Sequence, residues 1–188
     1  MGKNIVHFRC RHCGHCCTDV VCLLTPWDAN RIVRSTGLHP KRFVEFLTPE
    51  EVSGVEKSDP TWLECQGERY MMALRRDATA GCHFLDGAKR CTIYEARPIL
   101  CRLYPFLLHE AREGEFKGFS LHKTGVECPR ERDDVVLARP LYELWREDCV
   151  HQEDYAELVR VFNGRRDANK KPGDFIAMFF KEGRRKRG

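Results

Sequence analysis

The sequence predicts a small α+β fold, irregular and rich in cysteine, with short antiparallel strands, helices and a C-terminal helical segment. Three observations lead to this prediction. The chain has 188 residues, roughly the length of one domain. Short strand-like segments separated by glycine-containing turns fill its middle, and helical periodicity follows Arg132. All but one of its eleven cysteines precede residue 130.

The N-terminal third predicts one well-defined helix between irregular segments. Residues 1–24 show no helical or strand period and predict a loop. The segment Thr25–Asp28 begins a helix, because Thr is a favoured N-cap and Pro is favoured at the first helical position, and Gly37 ends it. A second short helix is expected over residues 40–47, and residues 53–61 predict a loop.

The middle of the chain predicts strands joined by tight turns. The turn Asp86-Gly87 favours a hairpin, which brings Cys82 and Cys91 close together. A short helix interrupted near Pro98 is expected to follow. The segments assigned in order are the strands Arg69–Leu74, Cys82–Leu85 and Arg90–Ile93, the helix Tyr94–Leu103, and the strands Phe106–His109 and Phe116–His122.

The last third predicts helices. Apolar residues recur at helical spacing from Arg132 onward, starting with Val135 and Val136, and Pro140 should break or kink this helix. A final short helix is expected at Asp174–Lys181. We therefore divide the chain into a cysteine-cluster metal-binding domain (1–130), a helical segment packed on it (131–181) and a basic tail (182–188).

Composition narrows the context of these elements. The net charge is only +4, too small to indicate a nucleic-acid partner by itself. No secretory signal or membrane-length apolar run is visible, so we expect a cytoplasmic protein without a membrane partner. In a reducing cytosol, clustered cysteines favour metal ligands or catalytic thiols over a disulfide framework.

Four cysteines fall within eight residues, in the run Cys10-Arg-His-Cys13-Gly-His-Cys16-Cys17. A Cys-x-x-Cys pair can direct two thiolates at one centre, and two such pairs overlap here. Cys16 and Cys17 are adjacent, and successive side chains diverge in extended backbone, so one of them is expected to serve elsewhere. The run predicts metal binding without specifying the metal.

A second set of cysteines lies downstream at Cys82, Cys91, Cys101 and Cys128. Together the eight cysteines divide into two four-ligand sites, or into one site plus redox or structural thiols. Spacing alone does not choose between these divisions. The scattered Cys22, Cys65 and Cys149 are not assigned as ligands, and Cys65 and Cys149 read as small packing residues.

Both cysteine sets resemble one known family, the CxxCxxCC zinc- or iron-chelating proteins (YkgJ-like cysteine-cluster proteins). The resemblance runs from about residue 8 to residue 128 and rests on Cys10-x-x-Cys13-x-x-Cys16-Cys17, Cys82-x-Phe84-Leu85 and Cys91-x-Ile93-Tyr94-Glu95-x-Arg97-Pro98-x-x-Cys101-Arg102-x-Tyr104-Pro105-Phe106. It implies a centre that is an iron–sulfur cluster, most simply 4Fe-4S, or a zinc or iron ion. A related branch, the flagellin lysine N-methylases, implies an iron–sulfur-dependent modification enzyme as an alternative.

Arg97 and Arg102 flank Cys101 and are the candidate cofactor-binding cations, because a guanidinium lowers the pKa of nearby thiols and offsets cluster charge. They can equally brace the turn by pairing with a carboxylate. Catalytic residues are not identified. The partners expected are the metal or cluster and, with it, a protein or redox partner. A zinc-dependent nucleic-acid-binding protein using the basic tail is the remaining alternative.

Overall fold

The computed structural model describes residues 5–18, 20–77, 81–112, 115–121 and 130–185. Its architecture is a small α+β fold with short antiparallel strands, as the sequence predicts. The described residues form nine strands: β1 (Ile5–Cys10), β2 (Val44–Leu47), β3 (Leu63–Cys65), β4 (Glu68–Leu74), β5 (Arg76–Asp77), β6 (Gly81–Cys82), β7 (Phe106–Arg112), β8 (Glu115–Leu121) and β9 (Arg130–Leu137).

These strands pair into separate small antiparallel sheets. The largest has the order β2-β4-β3, and the others are the pairs β1-β9, β5-β6 and β7-β8. The β1-β9 pair runs from Ile5 opposite Leu137 to Cys10 opposite Arg130, so it brings the two ends of the cysteine-bearing region together. The division of the chain at residue 130 stays a prediction.

Five helices lie among the described residues: α1 (His15–Thr18), α2 (Pro26–Thr36), α3 (Ile99–Leu103), α4 (Ala138–Asn163) and α5 (Pro172–Arg185). The start and end predicted for α2 are confirmed. Thr25 caps it in a reciprocal capping box with Asp28, and Gly37 ends it with a left-handed φ of 71°. The helix predicted at Tyr94–Leu103 is also confirmed, as a 3-10 turn (Tyr94–Ala96) and α3 on either side of Pro98.

Other predicted elements are wrong. The loop expected over residues 1–24 contains β1 and α1. The helix expected over 40–47 is a 3-10 turn followed by β2. The short apolar pattern there fits a helix or a strand, and pairing of Val44–Leu47 with β4 selects the strand. Val135 and Val136 lie in β9, and the helix begins only at Ala138.

Pro140 neither breaks nor kinks α4, because it is the third residue of that helix. The first-turn N–H groups of a helix have no intrahelical acceptor, so a proline there loses no hydrogen bond. The last helix is longer than predicted, and the end of the basic tail, 186–188, lies outside the described residues. No helix within the described residues is long and apolar enough to cross a membrane.

The main core lies between α2, the β2-β4-β3 sheet and the two C-terminal helices. Phe162 of α4 and Phe175 of α5 are essentially fully buried, and their rings meet edge to face with centroids 5.6 Å apart. Phe84, Ile93 and Ala96 belong to the same core, so the segment that carries the downstream cysteines is anchored by burial. A second cluster around Ile99 and Phe119 supports α3 from the other side.

Candidate metal centre

A single cavity gathers seven of the eight cysteines predicted as metal ligands: Cys10, Cys13, Cys16, Cys17, Cys82, Cys91 and Cys101. The eighth, Cys128, lies outside the described residues. The cavity has a volume of about 60 Å³. A single water needs about 10–15 Å³ measured in the same way, so there is room for more than one bare ion.

The first cysteine run is folded by a tight turn into α1. The Gly14 carbonyl accepts hydrogen bonds from the N–H groups of Cys17 at 2.8 Å and Thr18 at 3.1 Å. Because this backbone is helical and not extended, Cys16 and Cys17 both face the cavity, with their Sγ atoms 4.0 Å apart. The assumption of extended backbone is therefore wrong, whereas the expectation that one of the two serves a second centre or remains a spare thiol stays a prediction.

The turn predicted between Cys82 and Cys91 is confirmed, but the strands predicted at Cys82–Leu85 and Arg90–Ile93 are wrong. A single antiparallel bridge joins Leu85 and Cys91, and Cys82 lies in β6, which pairs with β5. The Asp86 N–H donates to the Arg90 carbonyl and the Thr92 N–H donates to the Phe84 carbonyl, each at 2.9 Å. Both cysteines line the cavity. The turn therefore brings the two cysteines to the same cavity, as their spacing in the sequence indicates.

Two glycines let the first run pack against the downstream segment. Gly14 has a φ of 77°, and a Cβ added there would lie 2.9 Å from the Lys89 carbonyl oxygen. Gly81 has a φ of 82°, and its added Cβ would lie 2.6 Å from the Cys17 carbonyl oxygen. Both positions therefore require glycine for backbone conformation and for space.

Gly81→Ala should lower the free energy of unfolding by about 3 kcal/mol, since a left-handed conformation costs about 1–2 and overpacking about 1–3. It should also reduce metal retention by pushing Cys17 away from Cys82. Gly67→Ala is the matched control: φ is 85° but no atom lies within 4 Å of the added Cβ. Urea unfolding and metal analysis of both variants test this, and equal losses would contradict the role assigned to Gly81.

Contacts between neighbouring thiols in the cavity shift their pKa values. Contact with Cys17 and burial raise the pKa of the Cys16 thiol. The neighbouring Cys16 thiol favours the Cys17 thiolate, but contact with Cys82 and burial outweigh it and raise the pKa of Cys17 to about 12. Cys17 in turn lowers the pKa of Cys82, which makes Cys82 the favoured thiolate. A bound cation would replace these protons, because thiolates are the form that ligates metals.

The donors are thiols and therefore suit a thiophilic metal, although their sulfur atoms do not surround a common point. No three of the described Cys, His, Asp and Glu side chains already meet in ion-ligating geometry. Cysteine has one side-chain torsion that moves its sulfur, so rotation between staggered rotamers can turn the cavity thiols toward a common centre. All ten described cysteines are free thiols.

The two candidate arginines are placed differently. Arg97 lines the cavity, and its guanidinium lies over the Tyr94 ring at 3.8 Å while its Nε donates to the Tyr94 carbonyl at 2.9 Å. Its charge acts on the thiols of Cys16 and Cys91. Arg102 is exposed and is not one of the described residues that line the cavity.

Sequence reasoning missed two features of this site. Lys89 lines the cavity as a second cation. Cys22, left unassigned, places its Sγ 3.3 Å from that of Cys101. No spacing pattern indicates this contact, since it depends on how the segment before α2 packs against α3. Cys65 is buried in the core as predicted, and Cys149 is half-buried on α4.

The fold and the cavity together define a cysteine-rich α+β protein of the metal-chelating class. The family model CxxCxxCC, described as a putative zinc- or iron-chelating domain, matches residues 9–129, well over half of the chain. The protein belongs to this family. Neither the curated proteins nor the solved structures contain a match to the chain.

Proposed function

We propose that this protein holds an iron–sulfur cluster on the thiolates of the cavity, with a zinc or iron ion as the alternative occupant. The observation that carries the proposal is the convergence of seven cysteines on one cavity. A mononuclear structural site needs only four donors, and this cavity offers more donors than such a site uses. The surplus of thiols favours a polynuclear centre.

The charges around the cavity support the same proposal. Four thiolates on a [4Fe–4S]²⁺ core leave a net charge of about −2. Arg97 lines the cavity and acts on the thiols of Cys16 and Cys91, so it can offset part of this charge. Arg97 is therefore the proposed cofactor-binding arginine, whereas Arg102 is not among the described lining residues.

The apolar lining controls access to the centre. Phe8, Leu74 and Ile93 lie on the wall with Tyr94 and Tyr104. Such a wall excludes water, which shifts the reduction potential of a cluster and protects it from hydrolysis. When bound, a cluster supplies one-electron transfer. The free thiols suit a reducing compartment such as the cytoplasm. The methylase-like and nucleic-acid-binding alternatives stay predictions.

Purification under strictly anaerobic conditions tests the proposal. A brown protein with broad absorption near about 400 nm that is bleached by dithionite, with iron and acid-labile sulfide in equal amounts, is the expected result. A colourless protein with stoichiometric zinc overturns the iron–sulfur form and leaves a thiolate metal centre. A protein that retains no metal and takes up none after reduction overturns the proposal as a whole.

A further inference from the structure

Cys22 lies against the cavity thiols although no spacing motif includes it. Its Sγ accepts a hydrogen bond from the Cys101 thiol at 3.3 Å, a shorter contact than the 4.0 Å between the thiols of Cys16 and Cys17. A thiol that only fills space in a core has no reason to meet a second thiol from a segment 79 residues away. The contact therefore indicates a role for Cys22 beyond packing.

The backbone around Cys22 is fixed to the central sheet. The Leu74 N–H donates to the Cys22 carbonyl at 2.8 Å, and the Leu24 N–H donates to the Met72 carbonyl at 2.9 Å. Leu74 itself lines the cavity. The end of β4 thus holds Cys22 directly behind the cavity wall, where its sulfur can reach the centre by rotation of one torsion.

The contact joins Cys22 to the thiols that line the cavity. Cys101 is a lining residue, and its Sγ lies 3.3 Å from that of Cys22. Cys82, another lining cysteine, also acts electrostatically on the Cys22 thiol. Cys22 is therefore an additional thiol beside the seven described lining cysteines.

We propose that Cys22 is a further thiolate ligand of the centre, beside Cys101. The inference rests on the proposed metal centre and adds to it a donor that the spacing motifs do not contain.

Cadmium titration of the reduced, metal-free protein tests this inference, because cadmium binds thiolates and gives an ultraviolet charge-transfer band. Cys22→Ser should bind cadmium at least about 10-fold more weakly and with a less intense thiolate band, whereas Cys65→Ser and Cys149→Ser should bind as the wild type does. Wild-type affinity and band intensity in Cys22→Ser overturn the inference while the metal centre stands.

A second measurement needs no variant and so does not depend on how Cys22→Ser folds. In the ¹¹³Cd-loaded wild-type protein, the β-protons of Cys22 should show scalar coupling to cadmium. Coupling restricted to other cysteines makes Cys22 a packing thiol and overturns the inference. Absence of any cadmium binding would instead overturn the proposed metal centre itself.

Discussion

Cys91→Ser should reduce metal affinity by more than about 100-fold, since removing a group that merely hydrogen-bonds to a ligand already costs 10–100-fold. Cys91 sits on the hairpin at the cavity and interacts with Cys16, Cys17, Cys82 and Cys101. Because metal binding energy in such a site is also folding energy, the loaded protein should lose stability. Metal analysis after desalting and thermal unfolding with and without metal measure both effects.

Cys65→Ser is the matched control and should show the opposite pattern. Cys65 is 2 % exposed in β3, within the main core and away from the cavity. A serine hydroxyl buried there without a partner should lower stability by about 1–3 kcal/mol in both the metal-free and the loaded protein. Metal content should stay at the wild-type level. Loss of metal in Cys65→Ser, or its retention in Cys91→Ser, would contradict the assignment of ligands.

Elements governed by local chemistry could be predicted from the sequence. The capping residues Thr25 and Asp28 with Gly37 determine α2, and the Asp86-Gly87 turn determines the hairpin. Each is specified by hydrogen bonds within a few residues. Elements governed by distant pairing could not be predicted: β2 depends on β4, and β9 depends on β1. A short apolar run fits a helix or a strand equally well until its partner is known.

The candidate site also contains a part that the sequence predicts and a part that it does not. The Cys-x-x-Cys spacing and the block around Cys91 and Cys101 predict seven residues that line the cavity. The role of Cys22 could not be predicted, since a contact across 79 residues has no local signature. The backbone assumed at Cys16 and Cys17 was extended, but Gly14 begins a helical turn there, so both thiols line the cavity.

The long-range role of Asp28 also has no local signature in the sequence, because Asp28 caps α2 and holds α3 in place as well. Its carboxylate accepts hydrogen bonds from the Thr25 side chain at 2.9 Å, the Arg31 guanidinium at 2.7 Å and the Ile99 N–H at 3.0 Å. Ile99 is the first residue of α3, the helix that carries Cys101, and Cys22 lies just before the Thr25 cap. One buried carboxylate therefore links the two segments whose thiols meet.

Asp28→Ala should lower the free energy of unfolding by about 2–4 kcal/mol, from a lost cap (about 1 kcal/mol) and an unsatisfied buried N–H (about 1–3 kcal/mol). It leaves the Ile99 N–H without its acceptor in a site where the side chain of Asp28 is 1 % exposed. Arg31 keeps its bonds to the Arg97 carbonyl at 3.4 Å and the Glu147 carboxylate at 3.3 Å. Metal affinity should fall as well, because α3 and Cys101 lose their anchor to α2. Urea unfolding of the metal-free protein separates the first effect from the second.

Glu51→Ala provides the control, since the chain contains the same local arrangement at an exposed position. The Glu51 carboxylate accepts from the Thr48 N–H at 2.8 Å and the Thr48 hydroxyl at 3.1 Å, but it reaches no second helix. Its loss should cost about 1 kcal/mol, the usual value of a cap, and leave metal affinity unchanged. Equal costs for the two variants would mean that Asp28 acts only as a cap. A larger cost with weakened metal binding in Asp28→Ala alone would show that the centre depends on the α2–α3 contact.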